Sequence, residues 1–209
     1  KSKTSSPAPG ETVTMKKFEG YFNFFYDGDQ DKIYLEINKL DEEFLYINSL
    51  AAGIGSNDIG LDRGQLGDTR VVKFTRVGPK VLMVQPNLGY RAISDNEDER
   101  KSVEQAFAQS VIWGFKVDME TPDGLLVDAT EFFLRDAHNV TGSLQRSRQG
   151  SYRLDKSRSA FYPPMIKAFP ENVEFEATLT FTGTPSGRYI RSVTPSPEAV
   201  TVRQHHSFV

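Results

Sequence analysis

The chain has 209 residues, with 25 Lys or Arg against 28 Asp or Glu, and its formal net charge is −3. Because 38% of the residues are hydrophobic and 25% are charged, the composition predicts one folded, medium-sized domain and argues against disorder over the whole length. The absence of cysteine excludes thiol nucleophiles, disulfides and cysteine-based zinc sites, and the acidic balance argues against nucleic acid as a partner. No run of about 18 apolar residues is present, which excludes a membrane-spanning helix.

The composition changes abruptly near residue 18. Residues 1–17 are rich in Ser, Thr, Pro and Lys and have almost nothing to bury, so they predict a disordered linker or leader. Residues 18–209 predict a single β-rich domain. We expect this domain to be truncated at its C-terminal end, because the last predicted strand, residues 199–209, stops in mid-pattern without turn residues.

Alternation of apolar and polar residues predicts most of the strands. Strands are expected over residues 43–50, 70–77, 80–85, 125–128, 173–181 and 199–209, with a first hairpin around Gly28. The clearest is residues 173–181, in which every second residue is apolar. Its intervening residues include Glu174 and Glu176, which are expected on a solvated face.

The period changes from two to 3.6 between Ser94 and Gly114, where Val103, Phe107 and Val111 fall at helical spacing. A capping box at Ser94 and a glycine stop at Gly114 predict one long amphipathic helix packed on the sheet. A second, brief helix is expected after Asp128. The predicted fold class is therefore mainly β (α+β), an antiparallel twisted sheet or sandwich with one long amphipathic helix.

A glycine-rich loop spans residues 51–68 and has five glycines. A phosphate cradle would need Gly at the sixth place of G-x-G-x-x-G, where Asp58 stands, and the spacing of Asp58, Asp62 and Asp68 does not match an EF-hand. We interpret the segment as a structural loop with tight turns and an internally paired Arg63.

The chain has three histidines, His138, His205 and His206. His205 and His206 are neighbours on a strand, so they should point to opposite faces and cannot readily chelate one ion together. One is expected in the core as a hydrogen-bonded imidazole; the alternative is a single metal ligand completed from outside this chain. His138 is expected to serve in capping or a local ion pair. The sequence has no Gly-x-Ser-x-Gly and no His-Glu-x-x-His, so no catalytic or metal-binding residue is predicted here.

A polar and basic segment, residues 136–169, predicts a functional or packing loop, or a mobile one. Its basic part, residues 146–158, could grip an acidic peptide or dock on the acidic residues 27–43.

Several strings carry a resemblance, above all GIGSNDIGLDRGQLG (residues 53–67), LLVDATEFFLRDAH (residues 125–138) and RQHHSFV (residues 203–209). Over residues 18–209 the sequence resembles the N-terminal domain of unknown function that precedes the zincin catalytic domain in a family of large bacterial zinc-dependent metalloproteases. The resemblance implies a parent protein that continues into a domain with His-Glu-x-x-His and zinc, in a periplasmic or secreted location. It transfers no catalytic or zinc residue to this chain, and no cofactor is expected in it.

The expected function is a non-catalytic accessory domain of a zinc-dependent metalloprotease, which packs on or orients the catalytic domain or its peptide substrate. The alternative is an independent glycan- or peptide-binding β module that uses the glycine-rich loop and aromatic residues among residues 21–26. The binding candidates lie in the strings that carry the resemblance: Asp58, Asp62, Arg63, His205 and His206.

Overall fold

The computed structural model describes residues 15–209, in which thirteen strands form one antiparallel sheet. The first eight strands in chain order are β1 (Met15–Phe18), β2 (Asn23–Asp27), β3 (Lys32–Ile37), β4 (Glu43–Ala52), β5 (Leu66–Val77), β6 (Lys80–Gln85), β7 (Ser110–Glu120) and β8 (Leu125–Asp128). They are followed by β9 (Gly150–Leu154), β10 (Ala160–Phe161), β11 (Lys167–Ala168), β12 (Val173–Pro185) and β13 (Ala199–Phe208). The four α-helices are α1 (Glu97–Ala106), α2 (Thr130–Phe133), α3 (Val140–Arg146) and α4 (Arg188–Val193). Most of the predicted linker, residues 1–14, lies outside the described residues, and β1 begins at Met15.

The sheet folds over on itself along the order β1-β2-β3-β8-β7-β6-β5-β4-β13-β12-β10. Strand β7 joins its two halves, because it pairs with β6 through Ser110–Lys116 and then with β8 beyond Val117, with a register shift in each pairing. Irregularities of this kind bend a strand and increase its twist. The two halves therefore face each other across a common core, and the predicted mainly β, antiparallel architecture is confirmed.

Phenylalanine rings fill the space between the two halves. Phe24 of β2 lies 4.7 Å from Phe175 of β12 between ring centroids, and Phe133 of α2 stacks on the same Phe175 at 4.0 Å. Phe208 of β13 contacts the ring of Phe22, which directly precedes β2, and the ring of Phe74 in β5. The predicted alternation over residues 173–181 is confirmed on its apolar side, where Phe175, Leu179 and the other odd-numbered residues of that range are buried. Aromatic side chains bury large areas each, so this cluster dominates the core.

The prediction of one long packed helix is wrong. Helix α1 has 10 residues, starts after Asn96, whose side chain accepts a hydrogen bond from the Asp98 amide, and contains no buried residue. It ends because Phe107 is extended, and the chain then enters β7. In β7 the bulky residues Trp113 and Phe115 fit a period of two, and pairing with β6 satisfies the backbone of this segment. The brief helix after Asp128 is confirmed as α2, with Asp128 Oδ1 accepting from the Thr130 amide at 2.9 Å.

Residues 136–169 are not a loop without structure. They form α3 and β9, β10 and β11, and all three strands pair with β12. Within the basic part, residues 146–158, Lys156 pairs with Glu131 and Arg158 pairs with Asp155, and both carboxylates lie outside residues 27–43. The Phe161 amide, which lies beyond that basic part, donates to Asp31 Oδ2 at 3.1 Å. Among residues 15–209, no helix has the length and apolar character needed to cross a membrane.

Candidate functional site

His206 lies at the centre of a buried polar network made by Tyr46, Asn48, Arg135, His138, Gln204 and His206. Its Nδ1 is 2.9 Å from the Tyr46 hydroxyl, and its Nε2 is 2.8 Å from Gln204 Nε2 and 3.1 Å from the Phe133 carbonyl oxygen. Either neutral tautomer therefore leaves both ring nitrogens with a partner. The Arg135 guanidinium donates to the Tyr46 hydroxyl at 3.3 Å and lies over the Phe132 ring. The expectation of one histidine held by hydrogen bonds in the core is met at this position.

Gln204 connects His206 to the second histidine of the network. Its Nε2 donates to the Arg135 carbonyl at 3.0 Å, and its Oε1 accepts from the His138 amide at 2.9 Å. The His138 ring then donates from Nδ1 to Asn48 Oδ1 at 3.2 Å. Gly67 packs so closely against this pair that an added Cβ would lie 1.9 Å from Asn48 Oδ1. The capping role expected of His138 belongs instead to Asp136, whose carboxylate accepts from the Val140 and Thr141 amides.

The protonation of this network follows from its burial. Burial, reinforced by the positive charge of Arg135, lowers the pKa of His206 to about 3. Burial also lowers the pKa of the His138 ring and raises the pKa of the Tyr46 hydroxyl. All three groups are therefore neutral near pH 7. A fully buried neutral imidazole with a partner at each nitrogen stabilises the contact between β4, β13 and α2 and has no access to a substrate.

His205 projects from the opposite face of β13, as predicted, into a cluster with Glu174, Glu176 and Arg203. Its Nε2 lies 2.6 Å from Glu174 Oε2 and its Nδ1 lies 3.4 Å from Glu176 Oε2. Arg203 Nε lies 2.6 Å from Glu176 Oε1, and its guanidinium stacks over the Tyr162 ring at 4.3 Å. Burial alone would lower the pKa of His205, but the hydrogen bonds and charges of the two carboxylates together raise it. The His205 ring thus links β13 to the two glutamates of β12, with one carboxylate at each ring nitrogen.

The expectation that Glu176 is solvated is wrong. Its side chain is 3% exposed, because Arg203 and His205 cover it from the neighbouring strand. The carboxylate of Glu174 is also engaged, accepting from Ser207 Oγ at 2.8 Å and from the Asn172 side chain. Among residues 15–209, no group of three or more His, Cys, Asp or Glu side chains is arranged to hold a metal ion.

The glycine-rich loop folds as a series of tight turns, as predicted. Gly55, Gly60 and Gly64 have positive φ angles, and the loop is anchored by Ile54, Ile59 and Leu61, which are buried in the core. Asp58 and Arg63 are exposed and Asp62 is partly exposed. Within the described part of the chain Arg63 forms no ion pair, so its expected internal pairing is not found. Asp68 is paired with Arg70. No contact among the described residues joins the three predicted binding residues of the loop, Asp58, Asp62 and Arg63, to His205 or His206.

An arm, residues 86–109, leaves the sheet between β6 and β7 and contains α1. The rings of Tyr90 and Phe107 stack at 3.8 Å with 2° between their planes, and Asn87 Nδ2 donates to the Ala108 carbonyl at 3.1 Å. These contacts hold the two limbs of the arm together. Between the arm and the sheet lies an open cleft of about 530 Å³, called here the arm cleft.

Two protein-family profiles match parts of this chain. The profile described as Domain of unknown function (DUF5117) matches residues 64–209, which is more than half of the chain. The chain belongs to the DUF5117 family. A second profile, Domain of unknown function (DUF5118), matches residues 11–53. No curated protein and no solved structure matches the chain.

The two matched segments share one sheet. Strand β4, within the DUF5118 match, pairs with β5 and β13, which lie within the DUF5117 match. The buried polar network crosses the same boundary, because Tyr46 and Asn48 come from the first segment and His206 and Gln204 from the second. The DUF5117 region thus has its core completed by the residues that precede it.

Sequence reasoning missed the buried polar network except for His206. A signal was present, since Gln204 and His206 alternate with Val202 and Phe208 on the inward face of β13. Asn48 likewise stands between the inward residues Tyr46 and Leu50 of β4. Polar residues at inward positions of an otherwise apolar face indicate partners for one another, because burial without a hydrogen bond is costly.

Proposed function

We propose that this DUF5117 domain is a non-catalytic accessory module that packs on a zinc-dependent metalloprotease domain of the same polypeptide and orients that domain or its peptide substrate. The zinc belongs to the partner domain. The observation that carries the proposal is an apolar stripe on the outer face of the sheet, which no element among the described residues covers except at the arm. The resemblance of the sequence to the domain that precedes the catalytic domain in bacterial zinc-dependent metalloproteases supports the choice of partner.

The outer stripe is made by Leu45, Val71, Leu82, Val84 and Val111. Leu45 stands opposite Val71 on β4 and β5, and Val84 stands opposite Val111 on β6 and β7. Between β5 and β6 the stripe continues diagonally, because Val84 is paired with Lys73, two residues from Val71. Leu45 and Val111 are 38% and 54% exposed, whereas Val84 is 5% exposed although it lies outside the main core. Antiparallel sheets that face water normally present polar residues there, and contiguous apolar patches mark interaction surfaces.

The side chains best suited to chemistry are engaged in packing, which supports an accessory role. His206 and Tyr46 are fully buried, and His205 is held by Glu174 and Glu176. A general base needs an accessible nitrogen within hydrogen-bond reach of its substrate. A docking role through the outer stripe makes no such demand.

The test begins with the parent reading frame beyond Val209, where we expect His-Glu-x-x-His on a predicted helix. It continues with Val111→Glu and its matched control Met119→Glu, two exposed residues of the same strand, at 54% and 59% exposure. In the isolated 209-residue chain both variants should leave the melting temperature within about 2 °C, because surface substitutions cost little. In the full-length parent only Val111→Glu should lower it, by several degrees.

Equal melting temperatures of the two variants in the parent protein would contradict docking through the stripe. A parent frame without His-Glu-x-x-His would remove the metalloprotease as the partner. The two results are independent, since the first concerns the surface and the second concerns what covers it.

A second candidate function, an independent binding module, is favoured by the arm cleft rather than by the features expected for it. Phe22 and Phe24 are fully buried, and Tyr21, Phe25 and Tyr26 are partly buried, so residues 21–26 offer no aromatic platform to a glycan. Burial and the hydrogen bond to Asp31 raise the pKa of Tyr26 to about 12, which is typical of a packed hydroxyl.

A further inference from the structure

We propose that the arm cleft is a binding site for an extended acidic peptide. The cleft lies between α1 with its flanking limbs and the outer face of β4 and β5, where Glu43 and Lys73 form its floor. The site adjoins the docking stripe, because Lys73 of its floor is paired with Val84, but binding there does not require a protease domain to be present.

The arm holds its own shape and leaves its inner surface open. The Tyr90–Phe107 stack joins its limbs, and Arg100 Nη1 donates to the Ser94 carbonyl at 2.6 Å across the turn before α1. Yet Tyr90 is 56% exposed and Phe107 is 37% exposed. A pair of rings that is braced against itself but not against the core offers a preformed apolar wall to a ligand.

The second feature of the cleft wall is its positive charge. Lys73, Arg91 and Arg100 line the cleft, and in the described part of the chain none of them is in an ion pair. The carboxylates that line it are Glu43 and Glu104, so cations exceed anions there although the whole chain carries a net charge of −3. Unpaired cations beside an apolar wall complement a ligand that has both carboxylates and apolar groups.

The shape of the cleft favours an extended chain over a compact small molecule. A second open cavity, of about 540 Å³, adjoins it and shares Pro86, Asn87 and Leu88 with it. In an extended peptide the side chains alternate in direction. Acidic residues of such a peptide can therefore meet Arg91 and Arg100 while the apolar residues between them meet Leu88, Tyr90 and Phe107. A nucleic acid fits less well, because Glu43 and Glu104 would repel a continuous row of phosphates.

The test uses fluorescence anisotropy with three fluorescein-labelled probes: a ten-residue peptide of alternating Glu and Leu, its counterpart of alternating Lys and Leu, and a ten-nucleotide oligo-dT. We expect the Glu–Leu peptide to bind in the micromolar range and the other two to bind at least about tenfold more weakly. Failure of the Glu–Leu peptide to bind at millimolar protein would overturn the proposal. Tighter binding of the Lys–Leu peptide or of oligo-dT would do the same.

Variants then locate the site. The double variant Arg91→Glu/Arg100→Glu should weaken binding of the Glu–Leu peptide at least about tenfold. Its control, Arg153→Glu/Lys167→Glu, makes the same charge change at exposed positions of β9 and β11 and should alter the affinity less than about twofold. An equal loss in both double variants would show unspecific attraction and refute the site.

A single variant tests whether the loss of binding in the double variant is caused only by a changed conformation of the arm. Lys73→Gln changes the sheet floor and leaves every residue of the arm in place, and we expect it to weaken binding about threefold or more. An unchanged affinity of Lys73→Gln, with loss only in the arm variant, would contradict a cleft formed between the arm and the sheet.

Discussion

Replacement of His206 by glutamine should remove a large part of the acid sensitivity of this fold. In the folded chain the ring is fully buried between Tyr46 and the Phe133 carbonyl, and burial together with Arg135 lowers its pKa to about 3. In the unfolded chain the same ring titrates near its ordinary pKa of 6.5. As the pH falls below 6.5, the His206 ring therefore becomes protonated in the unfolded state but stays neutral in the folded state, and the free energy of unfolding decreases.

The size of the effect follows from these two values. Each pH unit between the two pKa values removes about 1.4 kcal/mol from the free energy of unfolding. Between pH 7.5 and pH 5 the loss caused by His206 is about 2 kcal/mol. Glutamine cannot titrate, so His206→Gln should lack this contribution, although it lowers stability at pH 7.5 by roughly 1–3 kcal/mol through the lost hydrogen bonds.

Urea unfolding at pH 7.5 and pH 5 gives the change in the free energy of unfolding between the two pH values, and this change is compared between the wild-type chain and His206→Gln. The wild-type chain should lose about 2 kcal/mol more than His206→Gln between the two pH values, while contributions of His138 and the carboxylates are common to both proteins. His205→Gln is the control with the opposite sign. The pKa of His205 is raised, so its contribution is present below pH 6.5 and disappears as the pH rises through the folded value. An equal pH dependence of wild type and His206→Gln would refute the reasoning.

Two further predictions concern the neighbours of the histidines. Gly67→Ala should lower the free energy of unfolding by about 2 kcal/mol or more, because the added Cβ would overlap Asn48 Oδ1. The control Gly28→Ala, whose Cβ would have its nearest contact at 3.7 Å, should lower it by less than about 1 kcal/mol. Thermal unfolding of the two variants measures the difference. Glu174→Gln should lower the pKa of the His205 ring, since a carboxylate 2.6 Å from Nε2 is lost, and an NMR titration of the ring protons would show it. An unchanged His205 titration would mean that this carboxylate does not hold the proton.

Period-two alternation was a dependable guide where a strand has one apolar face. The strands expected over residues 125–128 and 173–181 are β8 and the first part of β12, and His205 and His206 point to opposite faces. The same local information misled the prediction for residues 94–114, where apolar residues fit both a helix and a strand. Pairing with β6 decides the outcome there, and pairing is a property of distant residues.

Local sequence patterns were enough to predict the mainly β class, the tight turns of the glycine-rich loop and the inward position of one of the two adjacent histidines, because each of these depends on neighbours in the chain. Contacts between distant parts of the chain bury Glu176, join His138 to His206 through Asn48 and Gln204, and place the arm over β4 and β5. The residues of these contacts lie far apart in sequence. Their hydrogen bonds and packing exist only once the sheet has folded over on itself, so no local pattern records them.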